Sequence, residues 1–403
     1  MVSDGPEDSL RIRIGALRSP VGRIHVPWYQ NSTEPNRFRV DQQAPADFGI
    51  KVIVSTSKLP IDRRISVAPM MDWTDRHCRY FLRGFAPDTL LYTEMITTGA
   101  ILRGDREKLL RFDAEEHPVA LQIGGSDPKD LAEAARIGVA AGYDEINLNC
   151  GCPSDRVHSG AFGACLMLRP KLVAEGVAAM RAAVDVPVTV KLRIGVVDAG
   201  ELREGTERRQ SAREAAARFG RPEQAALEEF VDGIVAAGCD SVIVHARKAV
   251  LGAWSPADNR EIPPLRYDVV RAIRQRVAPV PVILNGGLRT PAQVVSELAW
   301  ADGVMLGREA YHRPMLLAEL SAQRHAPSRM TLLERMARYA RRELERGERL
   351  SWIARHMLGL YAGLPGAKEF RRRLSEGARS PDASPDLLLE AGEACERLGQ
   401  AVA

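Results

Sequence analysis

No run of apolar residues in this 403-residue chain approaches the roughly 20 needed for a membrane-spanning helix, so a soluble protein with no membrane partner is expected. No charged, apolar and cleavable leader follows Met1, and the six cysteines form no regular framework. Both features point to a reducing, cytoplasmic compartment. Paired Cys or His at zinc spacing are also missing, and the lone Cys150-Gly151-Cys152 cluster predicts no metal. Nothing marks an obligatory protein partner. The net charge of +4 is too small to separate a nucleic-acid binder from an ordinary protein, so the distribution of charge matters more.

What is present is apolar mass: 45% hydrophobic residues, enough for one large core and a smaller domain. Residues 1–60 carry prolines and scattered arginines without a sustained period, and read as a partly disordered N-terminal extension. From Ile65 onward short β-rich runs alternate with stretches of helical period. The strands are expected at Ile65–Pro69, Leu90–Glu94, Val119–Ile123, Ile146–Leu148, Val188–Leu192, Val242–Val244, Val282–Leu284 and Val304–Leu306. Helical patterns fall between them, most clearly at Asp127–Ala141, Arg169–Ala183, Glu223–Ala237 and Pro291–Trp300. Eight such units predict a closed (β/α)8 barrel over residues 61–325. Its working residues should lie where strands end, and Met70, Glu94, Gln122, Asn149, Lys191, His245, Asn285 and Gly307 do.

Two segments break the alternation. Residues 198–224 are densely charged and read as a surface insertion after the fifth strand. Residues 326–403 read as helices only, a separate domain rich in arginine. Most of that charge has glutamate nearby, but Arg371-Arg372-Arg373 beside Lys368 reads as uncompensated, either a solvated face or a phosphate-contacting patch.

The chemistry concentrates in Asn147–Met167, where the fourth strand gives way to a glycine-rich loop. Pro153 cannot continue a ladder, and Cys152 therefore stands at a mouth rather than in a core. Cys78, Cys150, Cys165, Cys239 and Cys395 take the ordinary reading of a small apolar side chain. Asn285-Gly286-Gly287 and Gly307-Arg308 put backbone N–H groups and a guanidinium at adjacent strand ends, which suits a phosphorylated ligand. Lys191 ends a buried strand, where a cation needs a partner or a task. It is either a Schiff-base lysine or a stabiliser of negative charge on a reduced flavin. Gln122 and His245 could hydrogen-bond such a ring.

The stretches VAPMMDWTDRHCRYFLR, LLYTEMITTGAI, EEHPVALQIGGSDP, NLNCGCPSDRVHSGAFGACLM, NREIPPL, NGGLRT and DGVMLGREAY resemble tRNA-dihydrouridine synthases of the A-type subfamily. RHMLGLYAGLPGAKEFRRRLSE is similar to that subfamily's helical domain, and the resemblance spans about Arg64 to Leu398. It implies FMN in the barrel mouth, NADPH or NADH as reductant, and reduction of the C5–C6 double bond of a D-loop uridine in tRNA. By motif match, Pro69, Met70, Met71, Gln122, Lys191, His245, Asn285, Gly286, Gly287, Gly307 and Arg308 would hold FMN. Cys152 would be the proton donor, Asn149 would face the uracil, and Arg247, Lys248, Asn259 and Arg260 would touch RNA.

The reaction explains these residue types independently. The uracil double bond is conjugated to the C4 carbonyl, so hydride adds at C6 and negative charge develops towards C5. A positioned acid must protonate C5, and a thiol can do so without repelling an anionic ring. Three features depart from the family pattern: Cys150 in place of an aliphatic residue, the long 198–224 insertion and the N-terminal extension. Other readings remain at this point. A dihydroorotate-dehydrogenase-like flavin barrel would have no use for the arginine-rich helices, a Schiff-base aldolase leaves the Cys152 loop unexplained, and a non-catalytic tRNA-binding protein leaves the whole site idle.

Overall fold

The computed structural model describes residues 61–153, 162–198, 200, 207–321 and 327–401. The expected N-terminal extension lies outside them. Eight parallel strands follow one another around a closed barrel: β1 (Ile65–Val67), β2 (Leu90–Tyr92), β3 (Val119–Gly124), β4 (Glu145–Cys150), β5 (Val188–Arg193), β6 (Ser241–His245), β7 (Val282–Asn285) and β8 (Gly303–Leu306). Closure comes from β8 pairing with β1 and from β2 pairing with β3. Every strand overlaps an expected one. The runs of Val, Ile and Leu suit strands covered on both faces.

The helices of the wall are α1 (Arg76–Arg83), α2 (Pro128–Ala140), α3 (Pro170–Ala183), α4 (Glu207–Ala217), α5 (Arg221–Ala236), α6 (Tyr267–Val277) and α7 (Pro291–Leu298). Their starts are written in the chain. Asp75 accepts from the Cys78 N–H, and Asp127 caps α2 ahead of Pro128. Thr290 and Gln293 form a capping box at α7. The outer faces of the strands pack on these helices through Leu121, Ile123, Ile146, Leu148, Val190 and Leu192.

Inside the barrel the filling is asymmetric. Ala68, Leu90, Tyr92, Ala120, Ile243, Ile283 and Met305 form an apolar cluster. The β3–β5 side instead carries buried Gln122, Glu145, Asn147, Asn149 and Thr189.

From Glu207 onward the insertion forms a packed helix. Helix α4 turns Ala212, Ala215 and Ala216 onto Val197, Val250 and Trp254, a small core of its own. Val196–Asp198 pairs with Ala249–Leu251 beneath it. The reason is that alanine at helical spacing supplies an apolar stripe without raising average hydrophobicity.

After Leu306 the described residues form helices only, chiefly α8 (Arg329–Glu345), α9 (Ala367–Gly377) and α10 (Leu387–Gln400). Helix α8 docks on α1 and the β2–β3 connection: the Tyr80 and Tyr339 rings stack at 4.0 Å, with the Arg335 guanidinium 4.1 Å over Tyr80. Glu343, 1% exposed, accepts from Arg76 at 2.5 Å, Arg111 at 2.6 Å and Arg346 at 2.8 Å. No described helix is long and apolar enough to cross a membrane.

Candidate active site

Strand β4 alternates Glu145, Asn147 and Asn149 towards the barrel axis with Ile146, Leu148 and Cys150 towards the helices. The inward set is hydrogen-bonded throughout. Asn149 Oδ1 accepts from the N–H groups of Gly151 and Cys152, both at 3.0 Å. Its Nδ2 donates to Gln122 Oε1 at 2.8 Å, and Gln122 Nε2 donates to Asn147 Oδ1 at 2.8 Å. The loop carrying Cys152 is therefore anchored to the barrel interior.

Cys150 and Cys152 differ in kind. Cys150 is fully buried among apolar residues, and burial drives its thiol well above the ordinary range, with Cys239 and Cys165 adding to the effect. Cys152 is half-buried at the mouth, within electrostatic range of Lys191, Arg193 and Arg260. The two part because the strand ends at Cys150.

Lys191 sits beside Asn149 in the β4–β5 register. Among the described residues its ammonium makes no hydrogen bond or ion pair, and burial lowers its pKa to about 8, helped by Arg193 and opposed by Cys152. His245, at the tip of β6, is held neutral by burial, then by Arg193 and Lys191. Arg193 was not anticipated. Its Nε donates to the Gly151 carbonyl at 3.0 Å, and its Nη1 to those of Asn259 at 2.8 Å and Lys248 at 3.1 Å. It ties the Cys152 loop to the rim after β6, and its position two residues past Lys191 on one strand face was the available signal.

The phosphate-side loops have the geometry expected of a cradle. Gly286 and Gly287 have φ of 109° and 76°, in the left-handed region. A Cβ on Gly286 would come within 2.5 Å of His245 Cδ2, and one on Gly287 within 2.3 Å of Leu265 Cδ1. A Cβ on Gly307 would meet nothing nearer than Met70 Sδ at 4.0 Å, so the space between the β1 and β8 loops is open. Asn285 Nδ2 is turned inward to the Met305 carbonyl at 2.8 Å. Pro69 and Met70 are half-buried, Met71 is exposed at the rim, and Arg308 pairs with Glu261. Among the described residues the buried Nε atoms of Arg247 and Arg260 have no partner. Unpaired donors around an open cradle fit an anionic, phosphate-bearing flavin.

Not all expected RNA contacts face outward. Lys248 is buried and bonds Glu223 and the Ala215 carbonyl, both at 3.1 Å. Asn259 is fully buried and bonds the backbone of Val250 in both directions. Both hold the rim together, whereas half-buried Arg247 and Arg260 remain at the mouth. Arg247 also bonds the carbonyls of Glu261 and Pro263. In the helical segment two of the three arginines in the basic triplet are compensated after all. Arg372 pairs with Glu369 and Glu376, and Arg373 with Glu369. These acids lie three or four positions away along α9, out of sight of a linear reading. Exposed Arg338 and Arg371 carry no ion pair among the described residues.

Fold and site together define a (β/α)8-barrel enzyme with a thiol, a lysine unpaired among the described residues and an open, glycine-lined cleft at the C-terminal mouth. The family model described as "Dihydrouridine synthase (Dus)" matches residues 66–211 and 216–396. The chain belongs to that family. A protein of Xanthomonas campestris pv. campestris named tRNA-dihydrouridine(20/20a) synthase is 49% identical over 333 residues, 82% of this chain and 93% of that protein. Proteins of the same name from Pseudomonas syringae pv. tomato and Synechocystis are 50% and 48% identical, covering 82% and 84% of this chain and 93% and 96% of theirs. Among solved structures, a 2-naphthoyl-CoA reductase complex aligns over 64% of this chain and 49% of that one, with TM-score 0.45 and 13% identity.

Proposed function

We infer that this protein is an FMN-dependent tRNA-dihydrouridine synthase that uses NADPH or NADH to reduce the C5–C6 bond of uridine 20, 20a or both in the D-loop, the positions in its relatives' names. The reading rests on one juxtaposition: Cys152 on a loop held by Asn149, with unpaired Lys191 next to Asn149 across the β4–β5 ladder. When bound and reduced, FMN supplies the hydride for uracil C6. Gly286, Gly287, Gly307 and Arg308 would hold its phosphate, and Gln122, Lys191, His245 and Asn285 its remaining polar groups, with Pro69, Met70 and Met71 alongside.

Cys152 gives its proton to C5 as negative charge gathers there, and Asn149 orients the base by an amide edge. Lys191, protonated below about pH 8, supplies positive charge without a counter-ion to neutralise it. Arg247 and Arg260 offer cations to the RNA at the rim, and Arg371 on α9 offers a phosphate contact. The uridine must leave its stack, at a cost of a few kcal/mol, which contacts elsewhere on the tRNA offset. The test is to purify the protein, release flavin by denaturation, and map dihydrouridine in tRNA from a deletion strain before and after incubation with it. A colourless protein, or unchanged D-loop uridines, would refute the reading.

A further inference from the structure

The polar face of β4 does not stop at Asn147. Asn147 Nδ2 donates to Thr189 Oγ1 at 2.8 Å, and Thr189 donates its hydroxyl proton to Glu145 Oε1 at 2.6 Å. Tyr92 donates to the same oxygen at 2.6 Å, and Arg63 donates to Oε2 at 2.6 Å. Glu145, Asn147, Thr189, Gln122 and Tyr92 are all at most 1% exposed. Glu145 to Asn149 spans four residues, roughly 13 Å along the strand. A continuous line of hydrogen bonds thus runs from the barrel floor to the Cys152 loop.

Its direction is dictated at both ends. Glu145, paired with Arg63, only accepts, so Thr189 must give it the one proton it has. Thr189 then accepts from Asn147, whose oxygen must face Gln122 and whose NH2 must face Thr189. At the mouth, the N–H groups of Gly151 and Cys152 only donate, so Asn149 must turn its oxygen to them and its NH2 to Gln122. The two constraints agree, and neither Gln122 nor Asn149 has an alternative amide orientation.

We propose that Thr189, with Asn147 and Glu145, is a positioning residue that fixes which amide edges Gln122 and Asn149 present at the mouth and holds the Cys152 backbone in register. This deepens the functional reading given above and rests on it. None of the three touches the mouth directly; they act through Gln122 and Asn149.

The experiment compares Thr189→Val with Thr189→Ser in the full chain. Valine keeps the shape but removes the hydroxyl, leaving Asn147 Nδ2 and Glu145 Oε1 each short of a partner; serine keeps both bonds. Three quantities are read: single-turnover dihydrouridine formation, KM for tRNA, and the alkylation rate of Cys152 by iodoacetamide, followed on its own peptide. Thr189→Val should slow product formation about 10- to 10²-fold with KM unchanged, and shift Cys152 alkylation. Thr189→Ser should stay within about twofold of wild type in all three. Equal behaviour of the two variants, or a fall in melting temperature with wild-type alkylation in folded Thr189→Val, would overturn the proposal. Failure of the functional reading looks different: wild type itself would then make no dihydrouridine, while the alkylation arm would still report on the line of bonds.

Discussion

At the scale of single residues, the separation of Cys150 from Cys152 is the sharpest expectation. Cys152→Ala should retain flavin and its reduction by NADPH, because no proton is needed at uracil C5 for that half-reaction. Dihydrouridine formation should fall about 10²- to 10⁴-fold, the loss typical of a missing general acid. Cys150→Ala should leave product formation near normal, since its thiol faces the helices. Rapid-mixing measurement of both half-reactions checks this, and near-normal product from Cys152→Ala would move the acid elsewhere. Lys191 adds a pH dependence. Its native pKa of about 8 lies below the ordinary 10.5, so the cation is present below about 8 and lost above it. Product formation should decline as pH rises through that value, and a rate–pH profile of Lys191→Met should lack the inflection. The stability effect runs oppositely: between about 8 and 10.5 the unfolded chain binds more protons, so stability rises with pH there.

Among the elements, α8 carries the most consequential contact. Burial would raise the Glu343 pKa, but Arg76 and Arg111 overcome it and hold it at about 2. The stabilisation is complete above the ordinary carboxylate pKa of 4.5 and is lost as pH falls from there towards 2. Glu343→Ala should therefore cost about 3 kcal/mol at neutral pH, measured by urea unfolding, and flatten the acid limb of stability. On α9 the compensation of Arg372 and Arg373 changes what the triplet can do. Arg371→Ala should lower the slope of log affinity against log salt by about 1, whereas Arg373→Ala should change it less. Filter binding to tRNA across salt concentrations separates them. Here the sequence misled in a physical way: a run of three arginines reads as one patch, yet successive helical residues diverge and pair with acids a turn away. Lys248 and Asn259 misled for a related reason, since a polar residue within a rim motif is as apt to bind neighbouring backbone as to face a ligand.

For the whole molecule, the barrel was legible because parallel strands buried on both faces read as apolar runs at even spacing, and all eight were placed. The cluster under α4 was not, because alanine hides an apolar stripe. The mouth was legible where a residue type conflicted with its surroundings, as with Lys191 and Cys152, and illegible where polar groups satisfy one another. Arg193, Thr189 and Glu145 belong to that second group, since only the three-dimensional arrangement joins residues 63, 92, 122, 147 and 189.

The alternation along β4 also bears on how the chain reaches its native state. Sliding this strand by one residue would turn Ile146, Leu148 and Cys150 into the barrel and press Glu145, Asn147 and Asn149 against the helices. Each displaced polar group would be stranded without a partner, at about 1–3 kcal/mol apiece and more for the carboxylate. Misaligned molecules are thus disfavoured several times over. The polar face of β4 acts as a proofreading device during folding, rejecting errors of alignment that a wholly apolar strand would tolerate.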